Sequence, residues 1–234
     1  VKAPLTYFSG HLPELLESCE LYKGAHVNFL YLNKTNPQLY MDLRQTGKTM
    51  ELYQPLLVEA KPYLVSYDVS AAWETEEDVI VDRRDWELPN RVVFVEFNPA
   101  HQSHPWFKAN PGNIPCVLAK TTVTGTYLTF FIRQASPLAR KRDSVTPLGW
   151  VPADRLMRVD EEGFMHDVPT NLGPHDRDML IQMLRGVCLD LDAGQLIASP
   201  VAAPAAVNRS RERAGKPAIP PFMNLTKAVA PAAP

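Results

Sequence analysis

Leu88-Pro89-Asn90-Arg91-Val92-Val93-Phe94-Val95-Glu96-Phe97-Asn98 is the stretch that decides the fold class of this chain. Proline opens it, β-branched and aromatic residues fill it, and Asn98-Pro99 closes it, as in a strand bounded by turn residues. Alternation places Val93, Val95 and Phe97 on one face and Val92, Phe94 and Glu96 on the other. The carboxylate on that second face belongs either to the sheet rim or to a functional group. The rim is the expectation, because strand ends commonly reach solvent.

Working outward, Cys116–Thr124 and Thr126–Gln134 flank Gly125 and read as a hairpin that partners this strand. A second hairpin is expected over Arg155–Val159 and Phe164–Val168, across Asp160-Glu161-Glu162-Gly163. Thr170-Asn171 then caps a helix from Pro174 to Leu191, whose apolar stripe is Leu180, Ile181, Leu184, Val187, Cys188 and Leu191. Upstream, Leu12, Leu15, Leu16 and Cys19 recur at helical spacing. Val27–Leu32 and Tyr63–Val69 read as strands. Met50–Ala60 reads as a helix that must start late or bend at Pro55. Glu74–Asp85 is an acidic loop, and Asn98–Pro115 is irregular. From Ser199 the composition shifts to alanine and proline. The expectation is therefore α+β: a mostly antiparallel sheet with flanking helices in one domain over 1–198. An extended or disordered Ala/Pro-rich tail over 199–234 should add little to its stability, with the exception of Asn208–Leu225, which could either dock Ile219 and Phe222 on the domain or stay loose until a partner arrives.

Forty-five per cent of the 234 residues are hydrophobic, enough for a sizeable core, and a net charge of −2 demands no polyanionic partner overall. The three cysteines, Cys19, Cys116 and Cys188, are odd in number, far apart and set in apolar runs. They read as buried free thiols and imply a reducing compartment. No run reaches membrane-spanning length, and the N-terminus lacks a basic-then-apolar signal pattern. Val1 is what a literally translated GTG start codon would give. Removal of a leader would give the same letter.

Catalytic motifs are scarce. His101 and His104 in His-Gln-Ser-His could share a metal if the loop turns there, but no third ligand is near in sequence. Exposed loop histidines are the expectation, with no tight metal site and no cofactor. His166-Asp167 would point to opposite faces of a strand, and His175-Asp176 suits a helix start. Gly47-Lys48-Thr49 lacks the earlier glycine and the leading strand of a phosphate loop. The basic segments remain. Arg209, Arg211, Arg213 and Lys216 cluster in the tail, and Arg140, Lys141 and Arg142 form a second patch. Both could hold phosphates, and the tail arginines are expected to face solvent.

Asn208–Pro221 reads Asn-Arg-Ser-Arg-Glu-Arg-Ala-Gly-Lys-Pro-Ala-Ile-Pro-Pro. It resembles the C-terminal segment of a widespread set of uncharacterised tailed-phage accessory proteins, which have Asn-Arg-x-Arg, then Gly-Lys-Pro and an apolar strand. Leu88–Glu96 is similar to their upstream Leu-Pro and apolar strand ending in an acidic residue. Ile197-Ala198-Ser199-Pro200 falls where the set has a helix ending in Ser-Pro. The final strand is shortened here to Phe222-Met223-Asn224-Leu225. The resemblance implies a phage or prophage origin and a location in the cytoplasm of an infected bacterial host. The function expected is a phage-type accessory protein that binds nucleic acid or a host protein, without catalysis and without a membrane. The alternatives are a metal-dependent hydrolase or nuclease using His101 and His104, and a virion structural component.

Overall fold

The computed structural model describes residues 11–70, 86–109, 113–135, 143–147, 149–153 and 174–228. Among the described residues, eight strands form one sheet: β1 (Lys61–Val65), β2 (Val92–Phe97), β3 (Asn113–Thr122), β4 (Gly125–Ala135), β5 (Asp143–Pro147), β6 (Val151–Pro152), β7 (Leu196–Val201) and β8 (Phe222–Lys227). Their order is β5-β4-β3-β2-β1-β8-β7, with β6 also pairing with β4. The fold is α+β with flanking helices, and the sheet is mixed rather than mostly antiparallel. β1 runs parallel to both β2 and β8, while β2, β3, β4 and β5 alternate in direction and β7 runs antiparallel to β8.

β2 holds the centre because all six of its residues are buried. Its two faces divide the core as alternation requires. Val93, Val95 and Phe97 join Val117, Ala119, Leu128 and Phe130 beneath α6 (Pro174–Asp192), whose Leu180, Ile181, Leu184, Val187 and Cys188 complete that layer. Val92 and Phe94 join Ile114, Cys116, Leu118 and Phe131 beneath α1 (His11–Tyr22) and α4 (Pro37–Glu59). Each fully buried phenylalanine contributes about 1.5–3 kcal/mol. The β3–β4 hairpin turns at Val123-Thr124, with Thr122 opposite Gly125.

Three expectations change. Val27–Leu32 is not a strand: α2 (Ala25–Asn28) and α3 (Leu32–Thr35) occupy this region, and Val27, Leu30 and Tyr31 are exposed. The second helix begins at Pro37, well before Met50. Asn36 Oδ1 accepts from Leu39 N at its N-terminus, proline at the first helical position lacks a hydrogen that would be orphaned there, and Pro55 is accommodated inside. The tail, finally, is part of the domain. A boundary at 198/199 would cut β7, and Ile197–Pro200 is strand, not the end of a helix. Phe222–Lys227 is a full inner strand, with β1 on one side and β7 on the other.

β7 ends the strand order at one edge of the sheet. Gln195 O accepts from Ala228 N, and antiparallel alternation then points the Pro200 nitrogen at that edge. Having no hydrogen, it blunts pairing with other chains. The Asn98–Pro115 loop is partly organised by a 3-10 turn (Pro99–His101) and α5 (Trp106–Ala109), with residues 110–112 outside the described residues. The acidic loop from 74, the 155–168 hairpin and Thr170-Asn171 also lie outside them. Among the described residues, no helix is long and apolar enough to cross a membrane.

Candidate functional site

α1 is where the chemistry-bearing side chains converge. Leu12, Leu15, Cys19 and Tyr22 bury its apolar stripe. His11, Glu14 and Glu17, three residues apart, run beside that stripe and tie the helix to three different elements. His11 Nδ1 lies 2.9 Å from Glu96 Oε1 on β2. Glu14 takes a two-pronged bond from Arg133 on β4, Nη1 to Oε1 at 3.1 Å and Nη2 to Oε2 at 2.9 Å. Glu17 holds Arg211 and Lys216 from the C-terminal segment.

Glu96 is not at the rim. It is 1% exposed, and its Oε2 makes no hydrogen bond. Cys116 sits directly opposite it on β3. Burial pushes the Cys116 thiol well above its ordinary range, the Glu96 and Glu14 carboxylates push it further, and Arg133 opposes them. Cys19 and Cys188 are likewise buried free thiols, each pushed up to about 12, chiefly by burial. All three are therefore poor nucleophiles, since only the thiolate reacts.

The basic C-terminal segment is split in two by its own packing. α7 (Ala205–Arg213) ends in Ala214 and then Gly215 at φ +66°. Gly215 N donates to Glu212 O and Lys216 N to Arg211 O, the paired bonds that close a helix through a left-handed residue. Asn208 clamps Ile219 from both sides, Nδ2 donating to Ile219 O and Oδ1 accepting from Ile219 N. Arg211 donates through Nε to Pro217 O and through Nη2 to Glu17 Oε1, each at 2.7 Å. Lys216 Nζ donates to Glu17 Oε2 at 3.3 Å. Asn208, Arg211, Gly215 and Lys216 thus close a turn and fasten it to α1. Arg209 and Arg213, one helical turn apart, are exposed. The expectation that the tail arginines face solvent fails for Arg211, and Lys216 is drawn onto the same carboxylate. Arg140, Lys141 and Arg142 lie outside the described residues.

His101 is exposed at the end of the 3-10 turn, and His104 Nδ1 accepts from Trp106 N. Between them, Gln102 is buried and stitches the loop to the end of β1: Oε1 accepts from Val69 N and Ser70 N, and Nε2 donates to Tyr67 O. Among the described residues, no three His, Cys, Asp or Glu side chains are grouped to hold a metal. His166 lies outside the described residues. His11 carried no sequence signal, because its partner is 85 residues away.

One stretch of the chain stands apart. Of nine large apolar side chains exposed among the described residues, seven lie in the helical layer: Leu21, Val27, Leu30, Tyr31, Met41, Leu52 and Val58. The same 20–59 stretch carries Glu20, Asp42, Glu51 and Glu59 against Lys23, Lys34, Arg44 and Lys48, four charges of each sign.

No family model matches the chain, and neither a curated protein nor a solved structure matches it.

Proposed function

We propose that this is a phage-type accessory protein that works in the cytoplasm of an infected bacterial host by binding a protein partner through the outer surface of α1–α4. The segregation of exposed apolar side chains onto that layer carries the reading. Scattered surface apolar residues need no explanation, but a concentration on one layer marks an interaction surface. Leu52 is 73% and Tyr31 62% exposed, so their contact area is available without rearrangement. The balanced charge of 20–59 suits a protein surface with an apolar centre and does not suit a polyanion.

A photo-crosslinking residue placed at Tyr31 or Leu52 of the full chain in bacterial cells tests this. It should give one discrete adduct with the same identifiable protein at both positions. Placed at Val123 or Ile197, which are exposed elsewhere, it should give none. Adducts at all four positions, or at neither of the first two, would defeat the reading.

A second reading, nucleic-acid binding, is favoured by the exposure of Arg209 and Arg213 on a helix fixed by Asn208 and Arg211. With two cations on duplex DNA, log K should fall with log salt at a slope of about −1.8. No binding at low salt would remove it.

A further inference from the structure

We propose that β7 pairs with the β7 of a second copy of this chain, antiparallel about a two-fold axis at Ala198, so that one sheet runs through both copies. The inference stands independently of the protein partner proposed above. β7 ends the strand order. Ile197, Ala198, Ser199 and Pro200 are all exposed, so the strand is open on both of its faces. Alternation from the bond of Ala228 N to Gln195 O turns the backbone groups of Ile197, Ser199 and Val201 toward β8, and those of Leu196, Ala198 and Pro200 outward. Among the described residues, none accepts from Leu196 N or Ala198 N. Backbone groups at a strand edge are a template for another strand, and edges that must stay single are guarded, commonly by charge. No charged residue occurs from 193 to 208. Pro200 removes one outward donor and leaves the other positions able to pair.

The match of this edge to itself identifies the occupant. With the axis at Ala198, Ala198 N of each copy donates to Ala198 O of the other, and Leu196 N of each donates to Pro200 O of the other. Each proline then stands where its carbonyl is used, and the one bond missing on each side is that from its nitrogen to Leu196 O. Charge at the two ends agrees. Asp192, exposed, closes α6 ahead of the strand, while Asp190 is already engaged by Tyr67 and Lys227. Behind the strand, α7 carries exposed Arg209 and Arg213 against Glu212, with Arg211 held by Glu17. Antiparallel pairing sets the leading end of each β7 beside the trailing end of the other, so an acidic end meets a net basic end twice over. Parallel pairing would set like ends together. The contact is made of backbone bonds with small side chains around Ala198, so the dimer dissociates on dilution.

Sedimentation of the full chain across a dilution series, with amide hydrogen exchange, provides the test. Wild type should pass from dimer to monomer on dilution. Ala198→Lys sets like charges directly opposite each other at the axis and should weaken the dimer by about tenfold or more. Pro200→Ala restores an outward donor and should tighten it. Leu52→Glu, on the helical layer, should leave it unchanged, which separates this contact from the surface proposed above. In wild type, the Leu196 and Ala198 amides should gain protection from exchange as concentration rises. A photo-crosslinking residue at Ile197 should give an adduct of twice the chain's own mass and no adduct with the partner captured at Tyr31 and Leu52. Wild type monomeric at the highest concentration, a folded Ala198→Lys protein that dimerises like wild type, a dimer dissolved by Leu52→Glu, no tightening in Pro200→Ala, or amides that exchange alike at every concentration would each overturn the proposal. Dilution and exchange both use wild-type protein, so they decide the matter even where a variant does not fold.

Discussion

His11→Ala should destabilise the protein by about 3–5 kcal/mol, because it strands the Glu96 carboxylate in an apolar core without a partner. Glu96→Gln keeps the shape, removes the charge and should cost less. Urea unfolding of the two variants checks the order. The same reasoning separates the C-terminal arginines. Arg211→Ser breaks the tie to Glu17 and the bond to Pro217 O and should lower the melting temperature. Arg209→Ser and Arg213→Ser, at exposed positions, should stay within about 0.5 kcal/mol of wild type. The thiols add a pH dependence. Folding raises Cys19 and Cys188 from 9.0 to about 12, so above pH 9 the folded chain keeps protons that the unfolded chain loses. Stability from these groups is complete below pH 9 and falls as pH rises toward 12. Chemical denaturation at pH 8, 9 and 10 should show that decline beginning above pH 9, and a thiol reagent at pH 8 should label neither cysteine until the chain unfolds. At this scale the alternation of β2 was legible in the sequence, down to which residues share a face. The burial of Glu96 was not, because strand periodicity gives a face but not what covers it. Here the cover is a histidine from a helix at the other end of the chain.

Among the elements, α6 behaves as its periodicity requires, and Leu184→Ala should cost about 2–5 kcal/mol by opening a cavity between helix and sheet. A melt unchanged within error would mean that the helix is peripheral. β8 carries the stronger test. It supplies the neighbour of β1, and its Leu225 is fully buried. Ser66 Oγ donates to Asn224 Oδ1, while Tyr67 and Lys227 both donate to Asp190 at the end of α6. A chain ending at residue 204 should therefore lose cooperative unfolding, where a dispensable tail would leave the melt intact. Circular dichroism melts of the two lengths decide it. Composition misled here: alanine and proline concentrate around β8, while the strand itself is six residues with only two buried side chains, Phe222 and Leu225. Their worth comes from β1, not from local pattern. Val27–Leu32 failed for the converse reason. Its β propensity is real, but no strand among the described residues pairs with it and it stays in short helical turns.

At the scale of the whole molecule, the sheet is covered on its two faces by different means. One face is closed by α6. The other is closed by α1 and α4, whose outer surface keeps the apolar side chains that the core does not need. That asymmetry could not be read from the chain, because Met41, Leu52 and Val58 occupy the same helix as the buried Leu43, Met50 and Leu57, and only the packed arrangement says which face is inward. The central claim is that this outer surface binds a protein. Calorimetric titration of the partner identified by crosslinking tests it most directly, comparing wild type with Tyr31→Glu, Leu52→Glu and the paired Arg209→Ser/Arg213→Ser variant. The account predicts a negative heat-capacity change for wild type, as apolar surface is buried. It also predicts at least about a tenfold loss of affinity for each glutamate variant, worth about 1.4 kcal/mol, and no loss for the arginine pair. Undiminished affinity in both glutamate variants, with loss confined to the arginine pair, would contradict it.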